Sequence, residues 1–115
     1  LESQNTIDKA KTDTITKFLL QQTTLLEAKS NTPEYLLTIK RCAYIQLLNQ
    51  QWSSSIDYYK KAIQFEETHH PSPYSLSELY YQIGKVYQLQ QNISQASSYY
   101  KKSQEIILEA YSKQH

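Results

Sequence analysis

Residues 58–65 read YYKKAIQF and residues 99–106 read YYKKSQEI. A Tyr doublet followed by a Lys doublet occurs twice, so residue 58 can be laid on residue 99, an offset of 41. In that register Ile39 falls on Tyr80, Cys42 on Ile83, Ala43 on Gly84, Leu48 on Leu89, Ser55 on Ala96, Tyr59 on Tyr100 and Ala62 on Ser103. Small residues meet small ones and large meet large, at helical spacing across two segments. The doublets therefore mark a repeated helix hairpin rather than a chance recurrence in a Tyr-rich chain.

The periodicity around each copy predicts where the helices lie. Leu76, Tyr80, Ile83 and Tyr87 fall on one helical face, as do Ile93, Ala96, Tyr100, Ile107 and Tyr111. Asn92 and Ser94 stand between them, where a short turn and a new N-cap are required. The earlier copy repeats the plan through Leu36, Ile39, Ala43 and Leu47, then Ile56, Tyr59 and Ile63, with Trp52 at the corner. Thr32-Pro33-Glu34 is a start signal: a capping hydroxyl, Pro at the first helical position, and an acid at the positive helix end. Ser75 and Glu78 have capping-box spacing. His69-His70-Pro71-Ser72-Pro73 reads as a break between the copies. Ile15, Phe18, Leu19, Leu25 and Leu26 make residues 13–29 a further amphipathic segment. The expectation is an all-α chain with helices at roughly 10–29, 34–49, 53–69, 75–91 and 94–112, and with residues 1–6 outside the ordered part. Residues 1–33 form a leading segment and helix, and residues 34–115 two hairpins, within one domain.

Composition supports this and narrows function. A length of 115 residues fits one compact domain, and a single Gly with three Pro is too few for the turns of a sheet protein. Twelve basic against eleven acidic residues, a formal charge of +1, argues against a dedicated nucleic-acid binder. The lone cysteine, Cys42, allows no disulfide within the chain and fits a reducing compartment. No apolar run approaches a membrane span and the N-terminus is not signal-like, so the expected location is cytoplasmic, with the nucleus as a second compartment. The chain begins at Leu1 and contains no Met, so it is expected to be part of something longer. No His, acid and nucleophile converge in sequence, so no catalytic residues and no cofactor are expected. His69 and His70 are adjacent and diverge on any regular element, so no metal site is expected. Cys42 occupies a small inward position and reads as a buried thiol, and Asn92-Ile93-Ser94 reads as a helix turn rather than a glycosylated site.

The second copy resembles the tetratricopeptide pattern through Gly84, Tyr87, Ala96, Tyr100 and Ser103, preceded by Tyr80 and Ile83. In the first copy Ala43, Tyr59 and Ala62 fit, while Gln46 stands where an aromatic is expected and Ser55 where Ala is. The offset of 41 exceeds the usual repeat of about 34 residues, and the excess lies in the link 65–79, FEETHHPSPYSLSEL. Such long-helix variants resemble two groups: the C-terminal helical domain of SET-and-MYND (SMYD-type) lysine methyltransferases, and kinesin-light-chain-like adaptors. Residues 48–63, LNQQWSSSIDYYKKAI, resemble the hairpin of the SMYD-type domain, and residues 69–115 its following pair, with Ser112 where that family often has Gly. The resemblance implies a tetratricopeptide-like helix-hairpin array of about five helices. It implies a non-catalytic, protein-interacting domain that shapes substrate access beside a SET domain upstream of Leu1 and binds a chaperone or partner peptide. The alternative is a free-standing tetratricopeptide or kinesin-light-chain-like adaptor that binds a peptide in its concave groove.

On that architecture the first helix of each hairpin lines the concave face. The peptide-binding candidates are Lys40, Arg41 and Tyr44 on one helix, beside Leu37 and Leu48, and Tyr81, Gln82 and Lys85 on the next, beside Gln88. Arg presents a fork that matches a carboxylate, Lys a mobile point charge, and Tyr an apolar ring with a wet hydroxyl. Chaperone-binding tetratricopeptide domains hold a tail carboxylate with Lys and Asn. Lys40 stands at the first Lys position, but Tyr44 and Gln82 stand where Asn is expected and a third repeat is absent. In each Tyr doublet one ring is expected inward, leaving Tyr58, Tyr81 and Tyr99 for another surface. The expected partners are thus a protein or peptide, with no nucleic acid and no membrane.

Overall fold

The computed structural model describes residues 2–27, 33–69 and 71–114. They form the helices α1 (Glu2–Glu27), α2 (Pro33–Leu48), α3 (Trp52–Thr68), α4 (Pro73–Leu89) and α5 (Ile93–Gln114), with no strand among the described residues. The fold is all-α. The four later helices begin and end within about two residues of their predicted bounds, the ordinary fraying uncertainty of helix ends. The leading helix differs: it begins at Glu2, where residues 1–6 were expected to lie outside the ordered part. No Gly or Pro precedes Pro33, so nothing in the sequence stops the helix from extending that far.

Helix starts follow local chemistry. Pro33 occupies the first position of α2 and Glu34 its first turn, as the start signal requires, while Thr32 lies outside the described residues. The predicted capping box at Ser75 and Glu78 is not the start of α4. Ser72 is the N-cap, extended at φ −101° and ψ 127°, with Pro73 following as the first helical residue. The Ser72 hydroxyl accepts a long bond of 3.5 Å from the Ser75 amide, and its carbonyl accepts from Leu76 at 2.9 Å. A proline that reads as a breaker is pre-organised for a first turn, where its missing N–H has no partner to lose.

The offset of 41 is carried by the backbone. Gln50 and Gln91 end α2 and α4 in the left-handed region, at φ 59° and 64°. Around Gln50, Asn49 N donates to Ile45 O at 3.0 Å, Gln50 N to Leu47 O at 3.0 Å, Gln51 N to Gln46 O at 2.8 Å and Ser55 N to Gln51 O at 3.0 Å. Around Gln91, the bonds Gln90 to Val86, Gln91 to Gln88, Asn92 to Tyr87 and Ala96 to Asn92 repeat that set, at 3.0, 2.9, 2.9 and 3.0 Å. Each turn is a Schellman motif, which uses the last orphan carbonyls of one helix and reverses the chain into the next.

The chain divides into two compact units, Leu1–Tyr58 and Tyr59–His115, with the division inside α3. In the first unit α1 packs on α2. Ile39, Cys42, Ala43, Ser55 and Ile56 are buried there, and the Ser55 hydroxyl donates to the Ala43 carbonyl at 2.7 Å. Asn49 Nδ2 donates to Asp13 Oδ1 at 3.1 Å, which ties the α2–α3 turn to α1. The face that α1 buries is not the expected one. Thr16 is buried while Ile15 and Phe18 are 47% and 57% exposed; the side chains of Leu25 and Leu26 lie outside the described residues. Thr16 tolerates burial because its hydroxyl donates to the Thr12 carbonyl one turn back, at 2.8 Å.

In the second unit α4 packs on α5, over buried Leu79, Ile83, Val86 and Ala96. Gly84 makes the close approach possible: a Cβ there would lie 2.7 Å from the Tyr100 ring and 3.3 Å from the Ala96 carbonyl. Lower in the pair, Ser77 and Ser103 are buried against each other. Ser77 Oγ lies 2.9 Å from the Ser103 carbonyl, Ser103 Oγ lies 2.8 Å from the Ser77 carbonyl, and the hydroxyls are 2.8 Å apart. Small side chains thus bring two backbones together, and the polar atoms that come with them are satisfied across the interface.

Candidate functional site

The six candidate residues fall three to each unit. Lys40, Arg41 and Tyr44 lie on α2, where they line one hollow with Ile45 and with Ile15 and Leu19 of α1. A second hollow on the same helix shares Ile15 and is lined by Ala10, Lys11 and Thr14. The second is lined by α1 alone; the two share Ile15 and together give an apolar strip along α1 with cations beside it. Tyr44 is 53% exposed, so its ring is presented to whatever enters.

The other three candidates lie on α4. Tyr81 is 45% exposed and its ring centroid lies 5.3 Å from that of Tyr100. Gln82 Nε2 donates to Glu78 Oε1 at 2.7 Å, and Lys85 is exposed. Tyr100 in turn donates to Gln88 Oε1 at 2.6 Å. Its phenol is pushed up from the ordinary 10.0, by burial first and by the neighbouring Tyr81 second.

The Tyr doublets do not all divide as expected. Tyr59 is buried and Tyr58 half-buried, with the Tyr58 phenol pushed up by burial and then by Cys42. In the third doublet both rings pack on α4. Tyr99 stacks on Tyr80 at 6.1 Å and on Tyr87 at 5.5 Å, while Tyr100 takes Tyr81 on the other side. Tyr99 is therefore a member of an aromatic cluster and not an outward-facing contact. The reason is geometric: adjacent residues on α5 diverge enough to straddle α4, and large aromatic rings fill both flanks. Tyr80 is pushed up from 10.0 by burial first, then by the charge of Glu67 and by Tyr99.

His69 has a structural role. Its ring stacks on Phe65 with centroids 4.3 Å apart, and Nδ1 donates to the Phe65 carbonyl at 3.0 Å, closing the end of α3. His70 lies outside the described residues. Cys42 is buried, as expected. Among the described residues no three His, Cys, Asp or Glu gather as metal ligands, and no helix is long and apolar enough to cross a membrane.

What the site offers is apolar contact area edged by cations. Ile15 and Leu19 are the functional candidates that sequence reasoning missed. Their i, i+4 spacing was visible, but it reads equally as a core face. No protein-family model matches the chain, and neither a curated protein nor a solved structure matches it.

Proposed function

We propose that the chain is a non-catalytic protein-interaction module of tetratricopeptide-like hairpins that binds carboxylate-bearing peptides, with Lys40, Arg41 and Tyr44 as the binding residues of the first unit and Tyr81, Gln82 and Lys85 as those of the second. The observation that carries this reading is the pairing of Lys40 and Arg41 with an open apolar floor at Ile15, Leu19 and Ile45. Apolar side chains supply the binding area, and the cations select and orient a carboxylate. The repeated turn at Gln50 and Gln91 supports a repeat architecture, whose usual work is to present such surfaces.

Within that reading, the parent protein is a SMYD-like lysine methyltransferase of the cytoplasm and nucleus, in which this domain shapes substrate access and binds a chaperone tail. Exposed Ile93, Leu108 and Tyr111 on α5 support a covering domain. A free-standing adaptor is the second reading, supported by the openness of the α1–α2 groove to an outside ligand.

The test is titration of the chain with an acidic C-terminal peptide at several salt concentrations. The double variant Lys40→Glu, Lys85→Glu is expected to abolish salt-sensitive binding. Unchanged affinity in that variant would contradict the carboxylate-binding reading.

A further inference from the structure

We infer that the α1–α2 groove receives an acidic amphipathic helix of a partner protein, with apolar side chains on Ile15 and Tyr44 and carboxylates on Lys11, Lys40 and Arg41. This rests on the interaction-module reading and specifies its ligand.

Three observations lead to it. The two hollows meet at Ile15: the one between α1 and α2 runs from Ile15 to Leu19, and the open face of α1 continues it to Lys11. At 1.5 Å per residue that is about 12 Å, or roughly two turns of a docked helix. Among the described residues, the lining carries three cations, Lys11, Lys40 and Arg41, and no carboxylate. Asp13 lies between Lys11 and Ile15 in sequence, but it accepts from Asn49 Nδ2 at 3.1 Å and so is held at the α2–α3 turn. Finally, the exposed apolar groups are large: Ile15 and Tyr44 stand about half out of the surface.

The choice of a helical ligand follows from the walls. Strand addition requires an exposed sheet edge, and the described residues contain no strand. Two packed helices instead present rows of side chains at i, i+4 spacing, and such rows accept the ridges of a third helix. The cations at both ends then favour acids on either side of its apolar stripe. A basic helix would meet like charge, which is how the groove would reject it.

The experiment uses the 115-residue chain and a fluorescently labelled synthetic peptide in which Leu recurs at i, i+4 and Glu flanks it. Ile15→Ser is expected to weaken binding about tenfold or more, and Lys40→Glu with Arg41→Glu to do the same and remove the salt dependence. Lys60→Glu, a single charge reversal on the exposed face of α3, is expected to leave affinity unchanged. All the replaced side chains lie at least partly at the surface, and circular dichroism checks that each variant remains helical. Binding that ignores Ile15→Ser but is lost in Lys85→Glu would overturn the groove while keeping the interaction-module reading. Equal binding of a peptide with Lys in place of Glu would overturn the acidic ligand. Self-association of the chain that disappears in Ile15→Ser would make a second copy the occupant and overturn the partner helix. Failure of the labelled peptide to bind at all would overturn the groove proposal, leaving the module reading to the C-terminal-peptide titration.

Discussion

Gln50 and Gln91 occupy the same left-handed backbone position, 41 residues apart, at φ 59° and 64°. Each is the residue just past a helix end, and each is framed by four matching backbone hydrogen bonds. The repeat is thus a property of the main chain and not only of the side-chain pattern. Left-handed backbone is strained for a residue with a Cβ, and the hairpin sustains it because both turns satisfy the carbonyls that a helix end leaves open.

Glycine should relieve this strain. Gln50→Gly and Gln91→Gly are each expected to stabilise the chain by about 0.5–1 kcal/mol, the gain in the folded turn exceeding the loss from a more flexible unfolded chain. Replacement by Val at either position is expected to destabilise by about 1 kcal/mol or more. Urea unfolding, with the slope unchanged, measures both.

Gly84 should behave in the opposite way. In an unhindered helix interior Gly→Ala gains about 1 kcal/mol. Here the new methyl would meet the Tyr100 ring at 2.7 Å, and that ring is held by Tyr81 and by its bond to Gln88. Overpacking costs about 1–3 kcal/mol, so the net expectation is a loss. The same substitution in a Tyr100→Leu background should become neutral or stabilising. A double-mutant cycle reads the coupling directly.

Much of this was legible in the sequence. The Tyr-Tyr-Lys-Lys doublets gave the register, and periodicity placed α2 to α5, because amphipathic spacing and turn residues agree there. Other features were hidden for identifiable reasons. The left-handed turns carry Gln, where Gly or Asn would have announced them. Ser72-Pro73 looks like a break when Pro is read only as a helix breaker. Tyr99 was assigned outward on the assumption that one ring of a doublet must face away, whereas both flank α4. The face of α1 was misjudged because Thr16 can bury a self-satisfied hydroxyl while Ile15 stays at the groove. Periodicity reveals an apolar face but not what covers it.

Alkaline pH should weaken the second unit. The phenols of Tyr80 and Tyr100 are raised above the ordinary 10.0, mainly by burial. In the unfolded chain they lose their protons at ordinary values, while the folded chain retains them, so the native state binds more protons above that point. Their contribution to stability is therefore complete below about pH 10 and is lost as pH rises through the raised values. Tyr80→Phe should flatten the fall in stability above about pH 10. Denaturant midpoints across that range provide the measurement.

The most direct measurement is an amide NMR titration of the whole chain with an acidic peptide. Saturable shifts concentrated at Ile15, Leu19, Lys40, Arg41 and Tyr44, and suppressed by added salt, are the expected result. Shifts that never saturate, or that leave those five residues unmoved, would contradict a peptide-binding surface built on the α1–α2 groove.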